Sequence, residues 1–245
     1  MSELFSIQLQ NRQQQGGDGV WLDLPTTTEQ VQVALRQIGI SSDNPQGLFI
    51  SGYFAEEEKR FAISYNMVLA SNVDELNFLA SRLETLSTGE RAELNAALQA
   101  PQSELFSIGR ITDFPENVDY YVHLPDVHGP AQLGDYYLNR SGMVNMPEEW
   151  KGGIDTAQFG RYVAQQEQGA FTQYGYLVKS GDEWQKVHEG QPVPEEYRVL
   201  SFPAPEVLRD SANIPPPVQP ETEPQKVIPI ILNGKDSAER MKEIT

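Results

Sequence analysis

The stretch "VWLDLPTTTEQVQVALRQIG", residues 20–39, predicts a strand followed directly by a helix. The residues VWLDL have strand-like composition and end at Pro25. Thr26 and Glu29 form a capping-box pattern, which marks a helix start, and Gly39 is a typical helix end. Apolar residues between them recur at i, i+3, i+4 and i+7, the spacing of one helical face. These residues are Val31, Ala34, Leu35 and Ile38.

The regions on either side extend this strand–helix pattern. "ELFSIQLQ", residues 3–10, alternates in polarity and predicts a strand that forms a hairpin with VWLDL. "GLFISGYF", residues 47–54, predicts a third strand. Two capped helices follow, the first starting at Asn72 and Glu75 and the second at Ser87 and Glu90. Their predicted buried stripes are Leu76, Leu79, Ala80 and Leu83 in the first helix and Leu94, Ala97 and Leu98 in the second.

The hexapeptide SELFSI occurs twice, at residues 2–7 and 103–108. Each copy precedes a second apolar stretch that ends in proline, and each predicts the first strand of a strand–loop–strand–Pro–helix unit. The second unit is predicted to continue with a helix from Pro130 to Gly142 and a helix over 156–166, with Phe159, Tyr162 and Val163 on one face. A hairpin that turns at "SGD" completes it. The pattern favours two related units in tandem.

A proline-rich stretch divides this region from the last residues. The predicted organisation is an α+β unit with paired helices (1–101), a second α+β unit (102–200), a linker (201–226) and the start of a further module (227–245). The predicted fold class is α+β. It consists of an elongated chain of small α/β units with short antiparallel sheets and helices, followed by a disordered Pro-rich tail.

Composition narrows the cellular setting. The chain has no cysteine, which excludes disulfides and thiolate chemistry and fits a reducing compartment. The sequence has no apolar run of about 18 residues and no signal-peptide pattern at its start, so we expect a cytoplasmic protein.

Negative charge dominates the composition. The chain has 35 acidic and 18 basic residues, a net charge of −17. Residues 1–200 carry 28 of the acidic and 13 of the basic residues, so the charge belongs to the predicted folded part. Such a charge repels nucleic acid and anionic membranes and attracts basic surfaces. Solubility alone is the simpler explanation of an acidic surface.

Motifs for catalysis or cofactor binding are missing from the sequence. There is no Walker loop, H-E-x-x-H, G-x-S-x-G or EF-hand spacing. His123 and His128 flank Asp126 in "HLPDVH", but the stretch lacks a further nearby ligand and is interpreted as a turn rather than a metal site. We therefore expect no enzyme activity, no metal and no cofactor.

Carboxylates recur along nearly all of the predicted folded part. Spread along a body, such charges can imitate the phosphates of DNA, which presents one charge per ~1.7 Å of duplex axis. For any single acid a solvated surface position is the simpler interpretation. The predicted phosphate-mimicking residues are Glu56, Glu57, Glu58, Asp74, Glu75, Glu84, Glu90, Glu93, Asp113, Glu116, Asp119, Asp126, Asp135, Glu148, Glu149, Asp155 and Glu167.

Three stretches resemble the ArdA-type antirestriction proteins, in the same order. "VWLDLPTTTEQVQVAL" has that family's W-x-x-x-P strand end before a helix. "LFISGYFAEEE" with "SNVDELNFLASRLETLSTGERAELNAAL" is similar to its central acidic strand end and paired helices. "GGIDTAQFGRYVAQQEQGAF" resembles its Y-I-D-x-x-A-Y-G-R-D segment, with Tyr162 where the family often has Asp.

The resemblance implies a function without catalysis or cofactor. Members of the family are acidic, elongated, dimeric DNA mimics of plasmids and conjugative transposons, and they block type I restriction–modification enzymes, sometimes their modification as well. The partners implied are such an enzyme or a related DNA-binding defence protein, and a second copy of the chain. Nucleic acid and membranes are not expected partners. Candidate dimer-interface residues are Tyr136, Tyr137 and Leu138, although burial in the core explains them more simply.

Two other functions are compatible with the composition. The chain could be an acidic interaction module of a mobile-element protein that binds a different, non-DNA-binding partner through one localised patch. An enzyme built on "HLPDVH" is the third and least favoured hypothesis.

Overall fold

The computed structural model describes residues 3–14, 17–41, 47–57, 60–101 and 103–200. These residues form two compact units. Unit 1 contains the described residues up to Gly129 and again from Gln168 onward, and unit 2 contains Pro130–Glu167. Unit 2 is therefore inserted into the sequence of unit 1. The predicted linker 201–226 and further module 227–245 lie outside the described residues.

The described residues form eight α-helices and two small antiparallel sheets, so the predicted α+β class is confirmed. The strands are β1 (Phe5–Asn11), β2 (Val20–Leu24), β3 (Leu48–Phe54), β4 (Tyr121–Leu124), β5 (Ala170–Thr172) and β6 (Gly175–Lys179). The helices are α1 (Thr28–Gln37), α2 (Tyr65–Leu69), α3 (Val73–Glu84), α4 (Thr88–Gln99), α5 (Ile108–Thr112), α6 (Pro130–Asp135), α7 (Glu148–Lys151) and α8 (Thr156–Glu167).

The first sheet has the order β2-β1-β3, and all its pairs are antiparallel. Period-two alternation in β1 turns Ile7 and Leu9 into the core, where both are fully buried. Gln8 lies on the opposite face, paired with Trp21 of β2 and Gly52 of β3. A Cβ on Gly52 would crowd the Trp21 ring, so glycine at this position lets the tryptophan lie across the sheet.

Helix α1 begins one residue later than its sequence pattern indicated. The capping box is formed by Thr27 and Gln30, whereas Thr26 is buried and its backbone N–H donates to Asn77 of α3. This tertiary hydrogen bond fixes Thr26 outside the helix and makes Thr27 the N-cap. The helix ends before Gly39, whose φ of 68° suits glycine. The predicted apolar stripe of α1 is confirmed as buried.

The paired helices α3 and α4 follow the sequence prediction closely. Both predicted capping boxes are present, Asn72 with Glu75 and Ser87 with Glu90. The predicted stripe of α3 is fully buried, as are Leu94 and Ala97 of α4, while Leu98 is partly buried against the same core. Helices α1, α3 and α4 thus share one hydrophobic core with the first sheet.

The predicted strand at the second SELFSI is wrong. Residues 104–107 are irregular, and Ser107 accepts a hydrogen bond from the Arg110 backbone N–H as the N-cap of α5. In the first copy, alternation continues through Gln8 and Leu9. In the second copy, Ile108 and Ile111 recur at a helical spacing and are both buried. The two copies therefore have different structures, which contradicts the tandem-unit hypothesis.

The second sheet has the order β4-β6-β5 and lies in unit 1. Its hairpin joins β5 to β6, with the left-handed Gly175 (φ 120°) paired to Thr172. The predicted hairpin turn at "SGD" is wrong. Strand β6 ends at Lys179, and the described residues after it form no further strand that could pair with β6. Strand β4 begins at Tyr121, since Val118–Tyr120 forms a short 3₁₀ turn instead.

Unit 2 is a small helical unit in which α6 packs against α8. A π-helical turn, Tyr136–Arg140, extends α6 and ends before Gly142, and α8 covers the predicted 156–166 helix. Gly134 of α6 and Gly160 of α8 lie at the helix crossing. A Cβ on Gly134 would collide with the Thr156 carbonyl. Their lack of side chains permits the close approach of the two backbones.

A membrane-spanning helix is not found within the described part of the chain, because none of its helices is both long and apolar enough.

Substituting alanine at the glycine crossing tests the packing of unit 2. We expect Gly134→Ala and Gly160→Ala each to destabilise the unit by about 1–3 kcal/mol, the usual cost of overpacking. Urea denaturation and hydrogen exchange of the α6 and α8 amides would measure this loss.

The matched control is Gly89→Ala in α4, where a Cβ meets no atom within 4 Å. This control should be neutral or stabilising by up to ~1 kcal/mol, as Gly→Ala in an open helix is. Equal effects in α6 and α4 would contradict the packing.

Candidate functional site

The predicted acidic residues fall into three environments. Asp74 and Asp113 are buried. Exposed side chains form the largest group: Glu56, Glu57, Glu75, Glu116, Asp119, Asp126, Glu148, Glu149 and Asp155. Glu84, Glu90, Glu93, Asp135 and Glu167 are half-buried, and Glu58 lies outside the described residues.

Asp113 is completely buried at the end of α5. Its two carboxylate oxygens accept hydrogen bonds from the backbone N–H groups of His188 (2.6 Å) and Glu189 (3.2 Å). These bonds replace the water that the carboxylate loses on burial. Asp113 therefore stabilises the fold and is excluded from any acidic surface.

Asp74, in the first turn of α3, has a similar structural role. Its Oδ1 accepts from the backbone N–H groups of Val199 (2.7 Å) and Leu200 (2.8 Å). Burial raises the pKa of Asp74 above its ordinary value, and the two hydrogen bonds oppose that shift. This carboxylate is likewise excluded from the surface.

Some half-buried and exposed acids have local partners. Glu75 and Glu90 complete the capping boxes of α3 and α4. Glu116 forms an ion pair with Arg82, and Asp135 pairs with Arg140 in unit 2. These ion pairs involve only some of the predicted acids. Exposed ion pairs of this kind contribute little to the free energy of unfolding.

The structure brings three of the predicted acids together on unit 1. Glu90 and Glu93 lie one turn apart on α4, and Asp119 lies in the 3₁₀ turn before β4. Burial, followed by the charges of Glu90 and Asp119, raises the pKa of Glu93 to about 8. Its Oε1 is buried without a hydrogen-bond partner. We call these three residues the α4 acidic cluster. The neighbouring charges of Glu90 and Asp119 therefore add to the cost of ionising Glu93.

The first sheet, the residues next to its strands and α1 carry exposed acids outside the predicted set: Glu3, Asp18, Asp23 and Glu29. Asp23 accepts a hydrogen bond from the Ser6 hydroxyl (2.6 Å) across β1 and β2. The strand alternation of VWLDL places Asp23 on the outward face with Trp21, so this signal could have identified it.

The histidine motif "HLPDVH" does not form a metal site in the described structure. His123, on β4, has its Nε2 2.7 Å from the carbonyl oxygen of Tyr174, in the turn between β5 and β6. Among the described residues, no three His, Asp or Glu side chains are grouped to hold a metal ion.

The candidate dimer residues are mainly internal to unit 2. Tyr137 and Leu138 are buried, and the Tyr137 hydroxyl donates to Glu167 of α8. Tyr136 is half-buried and packs edge-on against Tyr137. Burial removes Tyr137 and Leu138 from any exposed patch. The exposed aromatic side chains of this unit are Trp150 (68%) and Tyr162 (58%).

The family model of antirestriction proteins named ArdA matches residues 17–178. The chain belongs to the ArdA family. The match covers most of unit 1 and all of unit 2, and it contains every predicted acidic residue. None of the curated proteins compared with the chain matches it significantly.

The ArdA match includes both the buried and the exposed acids, so family membership alone does not separate their roles. The structure makes that distinction through burial and hydrogen bonding. Asp74 and Asp113 bind backbone N–H groups, whereas the exposed acids direct negative charge outward.

Neutralising Glu93 tests the α4 acidic cluster. The Glu93 pKa is about 8 in the folded chain and near 4.5 when unfolded, so the parent loses stability as the pH rises from about 4.5 to about 8. Glu93→Gln removes this loss. We expect it to melt about 2–4 °C above the parent at pH 8.5, as about 1 kcal/mol implies in a chain of this size, with no difference near pH 4.

Calorimetry at the two pH values measures the difference. Glu183→Gln, an exposed glutamate outside the cluster, is the matched control and should be indistinguishable from the parent at both. A Glu93→Gln advantage that is independent of pH would contradict the raised pKa.

Proposed function

We propose that this chain inhibits type I restriction–modification enzymes by occupying their DNA-binding groove as an acidic mimic of DNA. The observation that carries the proposal is the charge of the folded part: residues 1–200 hold 28 acids against 13 basic residues, and most of the predicted acids are exposed or half-exposed. Membership of the ArdA family supports the antirestriction function.

The physical basis is competition for the same cationic groove. An enzyme that binds DNA neutralises phosphates with Lys and Arg and releases condensed counterions. Carboxylates on a folded surface offer those cations an alternative partner. Glu148 and Glu149 in α7 and Asp155 before α8 are exposed and can present several charges to one groove.

Both units take part in this proposal. Unit 1 contributes Glu90 and exposed acids such as Asp119 and Asp126, and unit 2 contributes Glu148, Glu149 and Asp155. Asp155 also caps α8 by accepting from the backbone N–H groups of Ala157 and Gln158. Neither catalysis nor a cofactor has a part in the mechanism, which requires only reversible binding.

Neutralising exposed acids is the direct test. We expect Glu148→Gln/Glu149→Gln/Asp155→Asn to weaken inhibition of DNA cleavage by a type I restriction enzyme about tenfold, since each exposed charge pair contributes ~0.5 kcal/mol. Asparagine keeps the α8 cap. The assay measures the half-inhibitory concentration at 50 and 200 mM salt, and inhibition by the parent should fall steeply with salt.

The matched control changes three exposed polar residues of α8 without altering charge: Gln158→Ala, Gln165→Ala and Gln166→Ala. It should inhibit as the parent does. An enzyme that cleaves DNA equally well with excess parent protein would disprove the proposal. Binding of another partner that survives 200 mM salt would favour the alternative, an acidic interaction module.

We also propose that the chain dimerises through the exposed aromatic side chains of unit 2. Trp150 and Tyr162 are large and exposed, and aromatic residues are enriched at interfaces. Trp150→Ser/Tyr162→Ser should convert a dimer into a monomer in analytical ultracentrifugation at micromolar concentration. Val33→Ser, at an exposed apolar position of unit 1, should leave the dimer intact. A monomeric parent would disprove dimerisation.

A further inference from the structure

A groove between the edge strand β2 and α1 is a second surface of unit 1. It has a volume of about 350 Å³. Trp21 and Val33 line it from opposite sides and are 50% and 47% exposed, and Val20, Ala34 and Gln37 extend it along the helix. Strand β2 pairs only with β1 among the described strands. An edge strand beside exposed apolar side chains is a common binding site for an extended segment.

The groove continues past Asp23 into an acidic recess of about 440 Å³. Glu3 and Asp23 line this recess, together with Pro25, Thr27 and Gln30. Glu29 adds a third carboxylate to the groove itself. The occupant that fits both parts is therefore an extended apolar segment with a cation at its end.

Residues near the end of the described chain share a hydrogen-bonding side chain with the groove. The Asn77 side chain accepts from the Thr26 backbone N–H (2.7 Å) and donates to the Tyr197 carbonyl (2.9 Å). Thr26 lines the groove, and Tyr197 precedes Leu200 by three residues. The Asn77 side chain thus connects the groove, at Thr26, to Tyr197 near the end of the described residues.

We propose that residues 226–235, "KVIPIILNGK", bind in this groove of the same chain. Five of the six residues 227–232 are large aliphatic side chains, which match Trp21 and Val33, and Lys226 and Lys235 match the carboxylates at the groove and its recess. Pro229 has no backbone N–H, which is compatible with an added edge segment but not with a central strand.

The intervening chain is long enough to reach. Residues 201–225 number 25, and any chain of that length can reach up to about 80 Å. A tether of this length gives the segment a high effective concentration at the groove, so weak contacts are sufficient for occupancy. The proposed binding is independent of the inhibition proposed above.

Engineered cysteines provide the test, because the full chain contains none of its own. We expect Val33→Cys/Ile230→Cys to form an intramolecular disulfide at least tenfold faster than the matched pair Gln99→Cys/Ile230→Cys, in which Gln99 is exposed on α4. Adding Ile228→Asp/Ile231→Asp to the first pair should abolish the difference. Non-reducing electrophoresis of the full chain follows both reactions, and thermal unfolding verifies that each variant is folded.

Charge substitutions give a second, independent measurement. Lys226→Glu/Lys235→Glu should slow the cross-link severalfold, and Glu3→Lys/Asp23→Lys in the same chain should restore it. Equal cross-linking rates for Val33 and Gln99 would overturn the proposal. A disulfide between two chains would overturn it in favour of a second copy as the occupant. Failure of the charge exchange to restore the rate would overturn the assignment of the lysines.

Discussion

Backbone hydrogen bonds to buried polar side chains hold together the part of unit 1 that follows unit 2. We call residues 180–200 the return segment. It has one short 3₁₀ turn and otherwise lacks regular structure, so its N–H and C=O groups need partners elsewhere. Asp113, Asn117 and Asp74 accept from its N–H groups, and Asn77 donates to one of its carbonyls. These four side chains are all buried, and their hydrogen bonds are correspondingly hard to replace.

This arrangement divides the acidic residues between two physical roles. A buried carboxylate is stable only when hydrogen bonds replace its water, as at Asp113. An exposed carboxylate costs little by itself, but many of them on one small domain repel each other. Glu93 lies between these cases, since it is partly buried, unpartnered at Oε1 and close to Glu90 and Asp119. Its pKa of about 8 keeps Glu93 largely protonated near neutral pH, which relieves this repulsion.

Local sequence signals predicted α3 and α4 of unit 1 well, whereas α2 was not predicted and α5 lies where a strand was expected. Capping boxes and apolar stripes in α3 and α4 depend on residues within one or two turns, and both were confirmed. Positions determined by distant contacts were not predictable in this way. The N-cap of α1 moved to Thr27 because Asn77, far along the chain, binds Thr26. The second SELFSI has the same residues as the first copy, which forms a strand. In the second copy, however, Ile108 and Ile111 form one buried helical face, and Ser107 caps the start of α5.

Prediction of the candidate site was likewise limited to features that do not depend on distant contacts. The sequence alone does not distinguish Asp74 and Asp113 from the exposed acids, because the backbone groups that bind these two carboxylates lie more than 70 residues away. Composition predicted that the chain is acidic and that the charge belongs to residues 1–200. It could not predict which carboxylates point inward, since burial follows from the tertiary path of the return segment. Identifying the exposed carboxylates therefore required the structure, whereas the class of function could be predicted from the sequence.

The return segment also extends the fold beyond the ArdA match, which ends at residue 178. Asp74 and Asp113 lie inside the matched region, yet the backbone groups they bind lie outside it, at residues 188–200. Without these partners, each buried carboxylate would lose the hydrogen bonds that offset its desolvation. The matched region is thus not a self-sufficient unit in this chain. Its two buried acids require the return segment as much as the return segment requires them, and together they fix where the chain continues beyond Leu200.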